Sequence, residues 1–233
     1  LSSSTPNPNE IPVYVGGAYE ETLFIRESSN IFIDGRDENG NGQHIEFGIG
    51  TQSAVHLRYG NTGVGLVGLD INDARYLVYA ETNNREPLKD FFVYGNQLDG
   101  NLPENMAWYH VKSSYSSHGT QVGRAGENID DYTNPPKGDY DYRVMETSGI
   151  RIIGSSTYDV DNVRIYDNDL ANTFDGINVS AGAVGDNGVL IHNNFVSASQ
   201  DDGIDIIGLS KTTGFVFANL ISEVKTGIFY FPA

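Results

Sequence analysis

One phrase recurs through the second half of the chain and limits what it can fold into. SGIRIIG begins at Ser148, DGINVS at Asp175, DGIDIIG at Asp202 and a worn TGIF at Thr226. Their glycines, Gly149, Gly176, Gly203 and Gly227, stand 27, 27 and 24 residues apart. A second phrase keeps the same beat between them: VRIYDNDL from Val163, VLIHNNFV from Val189 and FVFANLI from Phe215. A fixed period in the twenties marks a solenoid, in which each repeat buries its apolar face only against its neighbours. Within each unit the apolar residues alternate, as at Ile204 and Ile206 or Val189 and Ile191, which is the period of a strand. Short strands separated by Gly, Asn and Asp turns at this spacing predict an all-β chain wound as a parallel β-helix, one coil per repeat. The Leu-x-x-Leu-x-Leu signature of leucine-rich repeats is absent.

The same beat extends backward. Leu66 and Val93, Gly68 and Gly95, and Ile71 and Leu98 are each 27 apart. Earlier still, short strands are expected around Leu23 to Ile25 and Asn30 to Ile33, followed by a turn-rich excursion over 36–43. Asn96, Asn168, Asn194 and Asn219 fall at equivalent points just after the second strand of their coils. They are expected to form an internal stack whose amides satisfy backbone groups at a bend. Residues 101–147 interrupt the pattern as a long insertion rich in Gly, Ser, Tyr and Asp, with one further strand expected at 106–111. In a solenoid such an insertion forms a lobe bordering the binding face. Its tyrosines, with Trp108, His110 and His118, have the chemistry of a sugar-stacking wall, and a loop packed on itself accounts for them equally. The expectation is one β-helix domain over 1–233, with a loose lead-in at 1–12 and no legible capping helix, as for a piece of a longer chain or one capped by loops.

The formal charge of −17 argues against nucleic acid as a partner, since phosphates need a basic stripe. It also means that an acidic polymer is gripped only with help from a local basic group or a bound cation. There is no cysteine, so disulfides and thiolate metal sites are excluded. No stretch approaches the roughly 18 apolar residues of a membrane-spanning helix. The opening LSSSTPNPNE reads as a mature or trimmed end, and the chain is expected to be secreted or at the cell surface and to work as a monomer.

Stacking turns sequence period into distance, because residues one period apart lie on adjacent coils about 4.8 Å apart. Asp175 and Asp202 are 27 apart, and Asp201 precedes Asp202. Asp205 alternates with the core residues Ile204 and Ile206, so it is expected to point outward, with Asn178 and Arg151 in its column on the two preceding coils. Carboxylates this crowded raise one another's pKa unless a cation joins them or one stays protonated. A hard cation such as Ca²⁺ takes roughly six to eight oxygen ligands, and Asp175, Asp201, Asp202 and Asp205 are its candidate ligands. Alternatively, one carboxyl serves as a general acid while another activates water, as in an inverting glycosidase. Asp-Gly is also ordinary turn chemistry, but a turn accounts for only one acid before Gly203. Lys225, on the following coil, falls near Asp201 and reads equally as a catalytic base or as a surface ion pair. His192 aligns with Tyr166 on another face, and the remaining histidines, His56 among them, show no metal-binding spacing.

The repeated V-x-I-x-x-N and D-G-I-x-I phrases resemble the pectate-lyase-like right-handed parallel β-helices, over most of the chain outside 101–147. FDGINV and SQDDGIDI resemble the calcium site of family 9 polysaccharide lyases at Asp175, Asp201, Asp202 and Asp205. The Gly-Phe-Lys-Leu-Gly context of that family's catalytic lysine is absent, which leaves Lys225 or Arg151 to supply a base. NTFDG from Asn172 and SQDDG resemble family 28 polygalacturonases less closely, since the Gly-His-Gly and Arg-Ile-Lys motifs of that family are missing. The resemblance implies a Ca²⁺-dependent lyase acting on an acidic polysaccharide such as pectate or alginate. Asn178, Arg151, Trp108 and His110 would then contact the substrate. The alternatives are an inverting hydrolase and a non-catalytic carbohydrate-binding or adhesive module.

Overall fold

The computed structural model describes residues 21–40, 43–46, 53–72, 74, 76–82, 86–100, 148–155, 160–182, 184–199, 201–208 and 214–231. Alternating apolar residues and turn-forming Gly, Asn and Asp leave strands as the regular element, and the described residues form strands without a helix. Numbered in chain order, the strands join three parallel sheets. The first sheet contains β1 (Glu21–Arg26), β4 (Ser53–Arg58), β7 (Tyr76–Glu81), β10 (Ser148–Gly154), β13 (Asp175–Ala181), β16 (Asp202–Ile207) and β19 (Thr226–Phe231). The second contains β2 (Ser29–Asp34), β5 (Thr62–Val67), β8 (Leu88–Tyr94), β11 (Val160–Tyr166), β14 (Val189–His192) and β17 (Gly214–Phe217). The third contains β3 (Gln43–Glu46), β6 (Leu69–Asn72), β9 (Gln97–Asp99), β12 (Asp169–Ala171), β15 (Phe195–Ser197) and β18 (Leu220–Ser222). Every third strand is a hydrogen-bonded neighbour, so each coil contributes one strand to each sheet. This is the right-handed parallel β-helix that the sequence predicts.

The register confirms the columns. Leu66 pairs with Val93 and Ile71 with Leu98, while Ile150, Ile177 and Ile204 align in one inward column and Ile152, Val179 and Ile206 in the next. These side chains are buried and fill the space between the sheets with Val64, Phe91, Ile165 and Leu170. The ladder also runs across the long insertion: β10 pairs with β7, β11 with β8 and β12 with β9. The coil ending at Asp99 and the coil starting at Ser148 are therefore adjacent. The expected strand at 106–111 and the expected lobe lie outside the described residues. Among those residues no helix is long and apolar enough to cross a membrane.

Two devices hold the corners. Between the second and third sheets, Gly68, Gly95, Asp167, Asn193 and Ala218 adopt positive φ, a left-handed kink that Gly, Asn and Asp accept most readily. Immediately after that kink the predicted asparagine stack is present. Asn96, Asn168 and Asn194 each donate from Nδ2 to the Oδ1 of the next asparagine at 2.9 Å, ending on Asn219. The same amides donate to main-chain carbonyls one coil back, Asn168 to Val93 at 2.9 Å and Asn194 to Ile165 at 3.0 Å. The sequence pattern missed Asn61, which does related work at another corner: its Oδ1 accepts from the backbone N–H of Ser28.

A parallel stack of rings on the second sheet runs Tyr94, Tyr166, His192 and Phe217, with centroids 4.9, 5.2 and 5.0 Å apart and planes within 4°. The sequence places His192 beside Tyr166, and the structure shows it stacked within this ladder.

Asn168→Ala should remove the partners of the Val93 carbonyl and the Asn96 N–H inside the barrel. An orphaned buried group costs about 1–3 kcal/mol, so stability should fall by about 3 kcal/mol, read from the urea midpoint at unchanged m-value.

Candidate functional site

The glycines that open β10, β13, β16 and β19 explain where the acids sit. A Cβ on Gly176 would meet the Gly203 carbonyl oxygen at 2.5 Å and Val196 at 2.3 Å, and one on Gly203 would meet the Gly227 oxygen at 2.8 Å. At Gly149, Gly176 and Gly203 only glycine fits, where the coil bends tightly over the third sheet. The residue before the glycine stands in one column on successive coils, Ser148, Asp175, Asp202 and Thr226, and Tyr76, which precedes Leu77, extends that column by one coil. One position earlier, the backbone N–H of Asp201 donates to Phe174 and that of Thr226 donates to Asp201, which fixes Asp201 against its neighbours.

This local geometry brings Asp175, Asp201 and Asp202 together, each offering a carboxylate oxygen within 4.8 Å of the others. All three are buried. Asp205 faces outward as predicted, aligned with Asn178, which in turn aligns with Arg151. Facing outward does not make it exposed, however: Asp205 is only 5% exposed and Asn178 6%. Asn178 Nδ2 donates to Asp205 Oδ2 at 2.6 Å. Asp205 Oδ1 and Asn178 Oδ1 are buried with no hydrogen-bond partner. Asp205 thus stands beside the closest trio and is not one of its members.

The electrostatics follow from this crowding. Burial first, then the charges of Asp205, Asp202 and Asp201, push the Asp175 carboxyl well above the usual range, with Arg151 opposing. Burial and the charges of Asp202 and Asp201 push Asp205 up to about 7, against Arg151 and the Asn178 hydrogen bond. Asp202 is raised by burial and by Asp201, with a hydrogen bond from Thr226 and the charge of Lys225 opposing. Lys225 Nζ is ion-paired with Asp201 Oδ1. The negative charge of the cluster exceeds what these cations neutralise. Its donors are hard carboxylate and amide oxygens, and two buried oxygens lack partners, which is the donor set of a Ca²⁺-type ion.

The column continues beyond Arg151 in a direction that the sequence did not reveal. Phe24, His56, Tyr79 and Arg151 are successive partners in the first sheet. The Arg151 guanidinium lies 5.2 Å from the Tyr76 ring centroid and donates to Tyr76 Oη at 3.3 Å. Tyr76 stacks on Tyr79 at 5.0 Å, and Tyr79 packs on His56 at 4.7 Å. His56 Nε2 approaches Glu81 at 3.3 Å, while Arg58 Nε pairs with the same oxygen at 2.8 Å and Tyr79 donates to Glu81 at 3.1 Å. Burial opposes ionisation of Glu81, but His56, Tyr79 and Arg58 hold its carboxyl below the usual range. The sequence shows no metal-binding spacing for His56, and its alignment with Tyr79 is hidden because these two are 23 residues apart and Tyr79 and Arg151 are 72 apart, off the 27-residue beat.

Trp108 and His110 lie outside the described residues. The described residues also line concavities away from the acids. One of about 410 Å³ on the second sheet is lined by Phe32, Gly65, Phe92 and Tyr94, and one of about 320 Å³ on the third by Asp70, Asp99 and Asp169. Among the described residues, three carboxylates converge to metal-ligand distance only at Asp175, Asp201 and Asp202.

No protein-family model matches this chain, and neither a curated protein nor a solved structure matches it.

The pKa directions give a signed prediction. A carboxyl whose folded pKa is raised contributes stability that is present below its unfolded pKa and lost as pH rises through the folded value. For Asp205 that window runs from about 4 to about 7, and Asp175 acts with the same sign. With chelator present, unfolding free energy should therefore fall between pH 4 and pH 7. Asp205→Asn should recover on the order of 2 kcal/mol at neutral pH.

Proposed function

We propose that this chain is a secreted or cell-surface, Ca²⁺-dependent polysaccharide lyase of the pectate-lyase-like type, acting on a uronate-containing polymer such as pectate or alginate. The observation that supports it most is the convergence of Asp175, Asp201 and Asp202 beside a buried Asp205 whose Oδ1 has no partner. Carboxylates so placed bind a hard cation or stay protonated. A Ca²⁺ held by Asp175, Asp201, Asp202 and Asp205 would neutralise a substrate carboxylate and acidify the neighbouring C5 proton. It would also reconcile a chain of charge −17 with an acidic substrate.

The protein's own groups take the remaining roles. Arg151, held on the Tyr76 ring, offers a guanidinium for a uronate carboxylate, and Asn178, aligned with Arg151 and bonded to Asp205, is the candidate substrate-binding amide beside it. Lys225, at the edge of the acids, is the candidate base: released from Asp201 and having first given one ammonium proton to water, its neutral amine takes the C5 proton, the electron pair forms the C4–C5 double bond, and the C4–oxygen bond breaks. The leaving oxygen takes its proton from water.

A second reading is favoured by one specific observation. The Asp175 carboxyl is pushed far up, the state of a general acid, as an inverting glycoside hydrolase of polygalacturonase type requires.

The two readings separate in one assay. Incubated with a panel of uronate polymers and Ca²⁺, the lyase releases unsaturated, ultraviolet-absorbing products, is silenced by chelator, and loses at least about 100-fold activity in Asp202→Asn. New reducing ends without that chromophore, indifferent to chelator, establish the hydrolase instead. Glycan binding without turnover overturns both in favour of a carbohydrate-binding module.

A further inference from the structure

The position of Lys225 carries a consequence for how the acidic site is loaded. Phe174, Asp201 and Lys225 occupy equivalent positions on three successive coils, each just before the column that holds Asp175, Asp202 and Thr226. The repeat therefore delivers an ammonium, from the turn before β19, to the carboxylate of the preceding coil. The pair is real and partly sheltered: the Asp201 side chain is 4% exposed and that of Lys225 27%. Asp201 is also one of the three carboxylates whose oxygens converge. An ion bound by either oxygen of Asp201 would sit within a few ångströms of the Lys225 charge, where like charges repel strongly in a partly dry site. Asp205 Oδ1 and Asn178 Oδ1, buried and without partners, point to a ligand beyond Lys225, because the ammonium satisfies neither of them.

We propose that Lys225 is a built-in competitor of the divalent cation: both contend for Asp201, and loading of the site displaces the ammonium from that carboxylate. This rests on the reading of Asp175, Asp201 and Asp202 as cation ligands and goes beyond it. The lysine substitutes in part for the ion, keeping a crowded acidic turn folded until the ion arrives. The linkage is reciprocal: whatever strengthens the Lys225–Asp201 pair weakens cation binding by the same factor. It also orders events, since the group assigned as base leaves its ion pair only when the cation is in place.

The test is calorimetric titration of the full chain with Ca²⁺, comparing wild type, Lys225→Met and Lys225→Arg, with Asp202→Asn as the site control. Lys225→Met should bind about tenfold more tightly, within the usual range of site-to-site coupling, and Lys225→Arg should resemble wild type. Without Ca²⁺, Lys225→Met should melt at lower temperature than wild type, and its melting temperature should rise more on adding Ca²⁺. Should Lys225→Met not fold, the wild type still decides: the ¹³Cε resonance of Lys225 should move in step with Ca²⁺ occupancy. Equal or weaker binding by Lys225→Met, or a ¹³Cε resonance indifferent to a bound ion, overturns the competition while leaving the cation site standing. Absence of Ca²⁺ binding in both wild type and Lys225→Met overturns the cation site and the competition together. None of these readouts depends on polysaccharide turnover.

Discussion

Everything in this molecule depends on in-register stacking of one coil on the next at the strand spacing of about 4.8 Å. The apolar residues of a single coil cannot bury themselves, and the core consists of columns such as Ile150, Ile177 and Ile204, buried only because the register repeats. The same constraint acts on polar residues without regard to whether they gain by it. Amides in a column satisfy one another, as Asn96, Asn168, Asn194 and Asn219 do. Rings in a column lie flat on one another, as Tyr94, Tyr166, His192 and Phe217 do. Carboxylates in a column repel, and Asp175 stacked on Asp202 with Asp201 alongside is the arrangement the scaffold alone disfavours.

That cost makes the acidic turn the informative part of the chain. Turn chemistry and the tight glycine corner ask for one small or polar residue before each of Gly149, Gly176 and Gly203. Ser148 and Thr226 show that uncharged residues serve there. Placing Asp175 and Asp202 in successive coils, adding Asp201, and burying Asp205 beside Asn178 concentrates charge where the fold does not ask for it. Arg151 and Lys225 relieve it in part, while burial and the neighbouring carboxylates keep the pKa of Asp175, Asp202 and Asp205 raised. Strain of this kind at one place in an otherwise self-consistent repeat is the physical mark of a site.

The architecture was legible in the sequence because stacking makes period equivalent to contact. Spacings of 27 put Leu66 against Val93 and Asn178 against Asp205, as found. The same spacing brings Asp175 to Asp202 with Asp201 alongside, and the shorter, 24-residue last coil brings Lys225 to Asp201. What escaped notice escaped it where the beat fails. His56, Tyr79 and Arg151 form one column at separations that no single period connects, so the aromatic and ionic cluster around Glu81 was not seen as an extension of the site. Alternation also told which way Asp205 and Asn178 point but not that they are buried, because it reports the face of a strand and not what covers it. Of the four candidate ligands, Asp175, Asp201 and Asp202 converge, while Asp205 stands beside them with one oxygen engaged by Asn178.

If the over-acidic turn of this β-helix is built around a cation, as we propose, the ion can be seen by anomalous diffraction from crystals grown with Ca²⁺ and then exchanged into a lanthanide. One strong anomalous peak is expected, bounded by Asp175, Asp201 and Asp202, with the Lys225 ammonium drawn away from Asp201. A map with no peak there, while Lys225 stays on Asp201 at saturating lanthanide, would overturn the cation site.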